Sequence, residues 1–203
     1  NMEVIDFNKS NSILNRFVSE LRDVNIQKEQ MRFRRNLERI GEIMAYEVSK
    51  RLNYERRDFT TPLGTATINV PEEDVVLGTV FRAGLPMHQG FHNYFDHAEN
   101  AFVSAYRKYL DTVNFDVHIE YMASPNLEGK TLILIDPMLA TGGSACDALT
   151  MLKKRGCNNI RLMCLVAVPE GIAKVQALHP DVDIYVAAVD DHLNENAYIV
   201  PGL

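Results

Sequence analysis

The chain has 203 residues, 46% of them hydrophobic and 24% charged, which suits a globular protein with one sizeable core. A formal net charge of −6 argues against a broad nucleic-acid surface and still permits a small anionic ligand in a local site. With no apolar run of bilayer length and no signal-peptide pattern, the expectation is a cytoplasmic protein without a membrane partner.

Cys146, Cys157 and Cys164 are odd in number and form no CxxC pair, so they read as reduced thiols. Asn1 ahead of Met2 reads as a tag remnant. Ile13, Leu14, Phe17, Val18 and Leu21 recur at helical spacing behind the cap candidates Ser10, Asn11 and Ser12. A second helix is predicted over Gln27 to Lys50, burying Leu37, Ile40, Met44 and Val48. Arg32, Arg35 and Arg39 share one of its faces. Such a row can bind phosphate or an effector, but more often it is a solvated face or a subunit contact. Tyr54 to Asp58 and Thr65 to Val70 flank Thr61-Pro62-Leu63-Gly64, the pattern of a hairpin. It is polar and poor in core residues, so it reads as a projecting arm that packs on a partner subunit.

From Val75 the rhythm changes to strands separated by helical or loop connections. The predicted strands are Val75–Phe81, Ala101–Tyr106, Thr131–Ile135, Ile160–Val168 and Ile184–Val189, with Val117, Ile119 and Tyr121 as an edge strand. Gly171–Leu178 has helix length and ends before Pro180. The expectation is an α/β fold with a parallel sheet and right-handed crossovers. No linker or repeat divides the chain, so residues 1–203 read as one domain. Within it, 1–70 form a helical and hairpin addition and 71–203 the α/β core.

The central stretch is Thr131 to Ser144. Leu132, Ile133, Leu134 and Ile135 form a short apolar run typical of a strand buried on both faces. Asp136 stands at its end and Pro137 breaks the ladder. Ala140, Thr141, Gly142, Gly143 and Ser144 then lead into a helical pattern from about Ala145 to Arg155. This is an anion site in outline. Glycines admit a close ligand, Thr141 and Ser144 supply hydroxyl donors, and the first helical turn presents unpaired N–H groups. Asp136 cannot share the anion and should face sugar hydroxyls or a cation. Met138 and Leu139 either wall the ligand from water or anchor the loop. A P-loop needs Gly-Lys-Ser/Thr, yet no Lys occurs between Lys130 and Lys153; a dinucleotide fingerprint needs three spaced glycines, and only two adjacent ones are present.

Open parallel sheets bind ligands at the carboxyl ends of their strands. There the sequence places Arg82-Ala83-Gly84, Arg107-Lys108, the Asp136 loop, Pro169-Glu170-Gly171, and Asp190-Asp191. Two arginines beside an anion loop suit a ligand with several phosphates, because the guanidinium fork donates bidentately. His88, His92 and His97 lack a carboxylate at zinc-motif spacing and read as surface or packing residues.

Asp136-Pro137-Met138-Leu139-Ala140-Thr141-Gly142-Gly143-Ser144 resembles the ribose-phosphate loop of the uracil phosphoribosyltransferases. Phe81-Arg82-Ala83-Gly84-Leu85, Tyr106-Arg107, Val168-Pro169-Glu170-Gly171-Ile172 and Tyr198-Ile199-Val200-Pro201-Gly202-Leu203 resemble the same family in the same order. Pro137 stands where most phosphoribosyltransferases carry a second acid, as in the uracil branch. The resemblance implies a type I phosphoribosyltransferase fold converting uracil and 5-phospho-α-D-ribose 1-diphosphate (PRPP) to UMP and diphosphate, with magnesium carried by PRPP. It implies that Arg82 and Arg107 hold the diphosphate, that Asp136 meets the ribose hydroxyls and acts with the two arginines in catalysis, and that Ala140 to Ser144 hold the 5′-phosphate. Pro137, Met138 and Leu139 complete that PRPP loop, and backbone near Ile199 reads uracil. GTP activation and homodimers or homotetramers built through the arm are further implications. The family pattern continues past Leu203 with a Gly-Asp-Ala-Gly-Asp segment, which is expected to follow the sequence in hand. A uracil- or UMP-responsive RNA-binding regulator on the same fold is the alternative, and it would need a basic face. Orotate would call for an extra cation at the base pocket, which Tyr198-Ile199-Val200 does not offer.

Overall fold

A computed structural model describes residues 2–71, 74–109 and 115–203, with side chains described outside 105–120. Five helices carry the bulk of the connections: α1 (Leu14–Arg22), α2 (Gln30–Ser49), α3 (Leu85–Tyr94), α4 (Gly143–Lys154) and α5 (Pro169–Leu178). The strands are β1 (Val4–Asp6), β2 (Tyr54–Thr61), β3 (Gly64–Pro71), β4 (Val75–Val80), β5 (Glu99–Tyr109), β6 (Phe115–Ala123), β7 (Thr131–Ile135), β8 (Met138–Leu139), β9 (Asn159–Ala167), β10 (Asp183–Val189), β11 (His192–Leu193) and β12 (Ile199–Val200).

The main sheet runs β1-β10-β9-β7-β4-β5-β6, with β8 added beside β9. Every pairing in it is parallel except β5 with β6. Side chains alternate across a strand. Leu77, Ile133, Met163 and Tyr185 therefore face one core, closed by Leu14, Leu21, Ile40, Met44, Met87 and Phe91 of α1, α2 and α3. Val76, Leu132, Leu134, Leu162 and Ile184 face the other, closed by Ala148, Leu149 and Leu152 of α4 and Val175 of α5. Both faces are covered, which is why these strands read as continuous apolar runs.

The helices start where their caps dictate. Glu29 accepts from the N–H groups of Met31 and Arg32, so α2 begins at Gln30 rather than Gln27. α2 and α3 approach closely because both contribute glycine. A Cβ on Gly41 would stand 2.3 Å from the Met87 carbonyl, and one on Gly90 2.1 Å from that of Glu38. The sequence reading assigned no strand before residue 54, yet β1 forms the sheet edge by pairing with β10. β2 and β3 form a separate two-stranded sheet joined by a two-residue turn, almost wholly exposed.

β4 has β5 on one side and β7 on the other, and the chain then moves outward through β9 to β10. Strand order reverses between β4 and β7. In open α/β sheets the crevice outside the carboxyl ends at such a point is where ligands bind.

Candidate functional site at the carboxyl ends of two neighbouring strands

The loop after β7 is sewn to β9 before it reaches its glycines. The Asp136 N–H donates to the Met163 carbonyl at 3.0 Å, and the Pro137 carbonyl accepts from Leu165 and Val166 at 2.9 and 3.0 Å. Leu139 is 1% exposed and packs in the α4 core, so it is the anchor; Met138 is 40% exposed.

Gly142 then takes φ +86°, a conformation that favours glycine, and opens α4. The loop also leans on α5, where a Cβ on Gly171 would stand 2.5 Å from the Ala140 carbonyl. Gly142 accepts from the Cys146 N–H at 2.9 Å, and the Thr141 hydroxyl accepts from the Gly143 N–H at 3.3 Å. Asp136 and residues 138–145 enclose a hollow of about 40 Å³. One water's share of liquid is about 30 Å³, so the hollow has room for no more than one small group. A larger cavity, about 440 Å³, is lined by Tyr46, Tyr94 and Phe95 and by Val75 at the amino end of β4. That is the wrong end of a parallel sheet, and position outweighs volume here.

Among the described residues Asp136 is the sole acid bordering the hollow. Burial pushes its carboxyl up to about 6, and a hydrogen bond from the Met138 backbone opposes that rise. Arg82 is exposed on the neighbouring loop after β4 and makes no ion pair among the described residues. That loop folds tightly over both strand ends: a Cβ on Gly84 would lie 2.2 Å from the Thr79 hydroxyl and 3.3 Å from the Ile135 carbonyl. Phe81 is stacked on Phe102, with ring centroids 5.3 Å apart.

Arg107 does not follow its strand as expected. β5 stays paired with β6 through Tyr109, so Arg107 lies within the strand, opposite Val117 and four residues beyond Val103, the last partner of β4. Its side chain lies outside the described residues. The antiparallel partner β6 is what lengthens β5 past the parallel sheet.

Ile199 lies on β12, with its side chain buried in the α1–α3 core. Asn194 N–H donates to the Tyr198 carbonyl at 2.9 Å and Asp191 N–H to that of Val200 at 3.0 Å. Residues in an antiparallel ladder alternate between hydrogen-bonded and open pairs. Ile199, set between those two acceptors, thus turns its own N–H and C=O away from β11.

Two of the remaining rim acids are occupied, while Asp191 stays exposed. Glu170 accepts from the Leu193 N–H at 3.1 Å. Asp190 is 6% exposed and takes a bidentate contact from Arg22, at 2.6 and 3.0 Å. Sequence reading passed over Arg22, because its partner lies 168 positions away and no local pattern marks it.

The arginine row on α2 finds its partners within the chain, although Arg32 and Arg35 remain exposed. Arg32 forks onto Glu20, whose carboxyl this hydrogen bond pulls down to about 2. Arg35 pairs with Glu38, and Arg39 reaches Asn36 and the Phe17 ring. His88 is buried against Asn100 at 2.9 Å, and burial holds its pKa below the usual histidine value. Among the described residues no three His, Cys, Asp or Glu side chains converge on a common point for a metal.

The family model described as uracil phosphoribosyltransferase matches residues 9–203. A uracil phosphoribosyltransferase from Porphyromonas gingivalis (strain W83) is 52% identical over 204 residues, spanning 100% of this chain and 94% of the relative. Among solved structures, a protein from Aquifex aeolicus aligns with a TM-score of 0.87 and 28% identity, covering 98% of this chain and 93% of the other. A purine phosphoribosyltransferase from Pyrococcus horikoshii Ot3, at 16% identity and TM-score 0.51 over 78% of this chain and 89% of its own, shares the fold.

Proposed function

The chain belongs to the uracil phosphoribosyltransferase family, and we propose how its residues divide that reaction. The protein converts uracil and PRPP to UMP and diphosphate. The C1–N1 bond forms, the bond from C1 to the diphosphate oxygen breaks with its electron pair leaving on that oxygen, and the N1 proton of uracil passes to the departing diphosphate or to water. The sugar gains positive character in between, and negative charge gathers on the departing diphosphate. Fixed positive groups aimed at that charge are the most effective catalysts.

The observation that carries the reading is the placement of Arg82 and the Asp136 loop on adjacent strands across the reversal of strand order. The 5′-phosphate then rests on Ala140 to Ser144, where the glycine turn and the α4 amides receive it. Asp136 accepts from the ribose hydroxyls. Arg82 meets the diphosphate, and Arg107 does so from the β5–β6 ribbon. Uracil lies against the main-chain groups of Ile199 that turn away from β11. Magnesium would be carried by PRPP and supply positive charge for the leaving group, in keeping with its habit of binding phosphates with one or two carboxylates and water; Asp136, the one acid among the described residues lining the hollow, would be the carboxylate to meet it. Assembly through the exposed arm, GTP activation and a cytoplasmic location belong to the same proposal. The three buried thiols support a reducing compartment. The RNA-binding alternative gains no support from the arginine row, since Arg32, Arg35 and Arg39 each have a partner within the chain.

The test is product formation from PRPP and magnesium with uracil, cytosine or orotate. Uracil alone should react. Turnover of orotate at a comparable rate would displace the reading.

A further inference from the structure

Asp190 directly follows β10 at the rim of the sheet, and its backbone is fixed there by a 2.7 Å bond from its N–H to the Ala167 carbonyl. Its carboxylate accepts from both terminal nitrogens of Arg22 and also from the Gly202 N–H at 2.9 Å. Arg22 Nη1 donates in turn to the Gly202 carbonyl at 2.8 Å. One ion pair thereby binds both main-chain polar groups of a single turn residue. Gly202 has φ +65°, and a Cβ there would come within 2.3 Å of the Ile199 carbonyl, so this glycine sits directly on the residue whose main chain turns away from β11. The contacts run unbroken from α1, through Arg22 and Gly202, to Ile199.

We propose that Arg22 and Asp190 are a positioning pair for the base, holding the 199–203 turn in the shape that reads uracil. The proposal rests on the assignment of uracil to the Ile199 backbone. Only a guanidinium can serve three acceptors in one plane, two on Asp190 and one on Gly202; an ammonium is a point charge without that fork. A buried ion pair adds little net stability over an apolar contact, so its main contribution is geometric. The C-terminal end of α1 suits a cation there. Among the described residues the hydrogen bonds of the pair go to Ala167 and Gly202 and none to residues 136–144, so the larger effect is expected on the base and not on PRPP.

Steady-state kinetics in both substrates test this, using Arg22→Met, Arg22→Lys, Asp190→Asn and, as a direct perturbation of the turn, Gly202→Ala. Arg22→Met should raise the uracil KM by about tenfold or more while the PRPP KM stays within about twofold. Arg22→Lys should recover part of the loss, and discrimination against cytosine should relax in step. A merely structural role would lower kcat through the fraction of folded enzyme and leave the uracil KM alone. Should Arg22→Met fail to fold, Arg22→Lys and Asp190→Asn carry the same comparison. A raised uracil KM in Gly202→Ala alone overturns the pair and leaves the base site standing. An unchanged uracil KM in all four removes the base from this turn and overturns both.

Discussion

Asp136 shows most directly how the fold and the chemistry pull against each other. Its carboxyl is lifted from 3.8 to about 6, chiefly by burial. The folded chain therefore binds more protons than the unfolded one between those values, and stability present below pH 3.8 is lost as pH rises through 6. Holding the anion at neutral pH costs on the order of 3 kcal/mol. Ribose hydroxyls, or a cation arriving with the substrate, would offset that cost only in the complex. Asp136→Asn should consequently stabilise the ligand-free protein at pH 7.5 by up to about 3 kcal/mol, a rise of several degrees in Tm, with the difference vanishing below pH 4. Its kcat/KM for PRPP should fall by about tenfold or more, and the acid limb near pH 6 of the wild-type profile should disappear. Thermal melts at pH 4 and 7.5 and a pH–rate profile check both halves. Equal Tm values at pH 7.5 would mean the anion is not strained in the free protein.

At the scale of elements, the phosphate loop owes its shape to α5 as much as to its own glycines. Gly171 lies inside that helix, where alanine is normally better by about 1 kcal/mol. Here the added Cβ would meet the Ala140 carbonyl at 2.5 Å and the Leu139 carbonyl at 2.9 Å, both backbone atoms that cannot swing aside. Overpacking of this kind costs about 1–3 kcal/mol, so the steric term wins. Gly171→Ala should be less stable than wild type in urea and should raise the PRPP KM by about tenfold, with the uracil KM little changed. A gain in stability with unaltered PRPP KM would show that the loop does not depend on α5. The same elements show what can be read from residue order. β7 was legible because a strand covered on both faces is a continuous apolar run, and α4 because a glycine pair must open it. β1 was not, since three residues carry no period and gain their strandhood from β10. α3 escaped notice because one side of it is Gly90 pressed on Gly41, which leaves a weak apolar stripe. Arg107 was placed past a strand end because an alternating pattern does not tell how far an antiparallel neighbour prolongs a ladder. Asp190 looked like a ligand-facing acid, and only the fold brings Arg22 to it.

Across the whole molecule, the main sheet buries both faces and leaves one substantial element outside. The β2–β3 hairpin exposes nearly every residue, and Leu63 at its tip is 99% exposed. An isolated two-stranded hairpin is marginal in water. Its register places Phe59 opposite Ala66, Arg57 opposite Ile68 and Glu55 opposite Val70, so one face carries an apolar row of Phe59, Ala66, Ile68 and Val70. A Thr67–Asp58 hydrogen bond of 2.6 Å and the Arg57 guanidinium 6.0 Å from the Phe59 ring lend local support, neither of which buries that row. In the assembly proposed above a second copy of the chain would cover it, and the arm would then link subunits while the switch-point crevice stays open to substrate. Phe59→Ser with Ile68→Ser should therefore leave the helical circular-dichroism signal intact. In sedimentation velocity the variant should run as a monomer where the wild type runs as an oligomer. Removing two exposed apolar side chains each worth about 1.5–3 kcal/mol per subunit when buried is enough to dissociate an assembly at micromolar concentration, where the whole binding free energy is about 8 kcal/mol. A variant that sediments with the wild type would place the subunit contact elsewhere, and a monomeric wild type would leave the arm without that role.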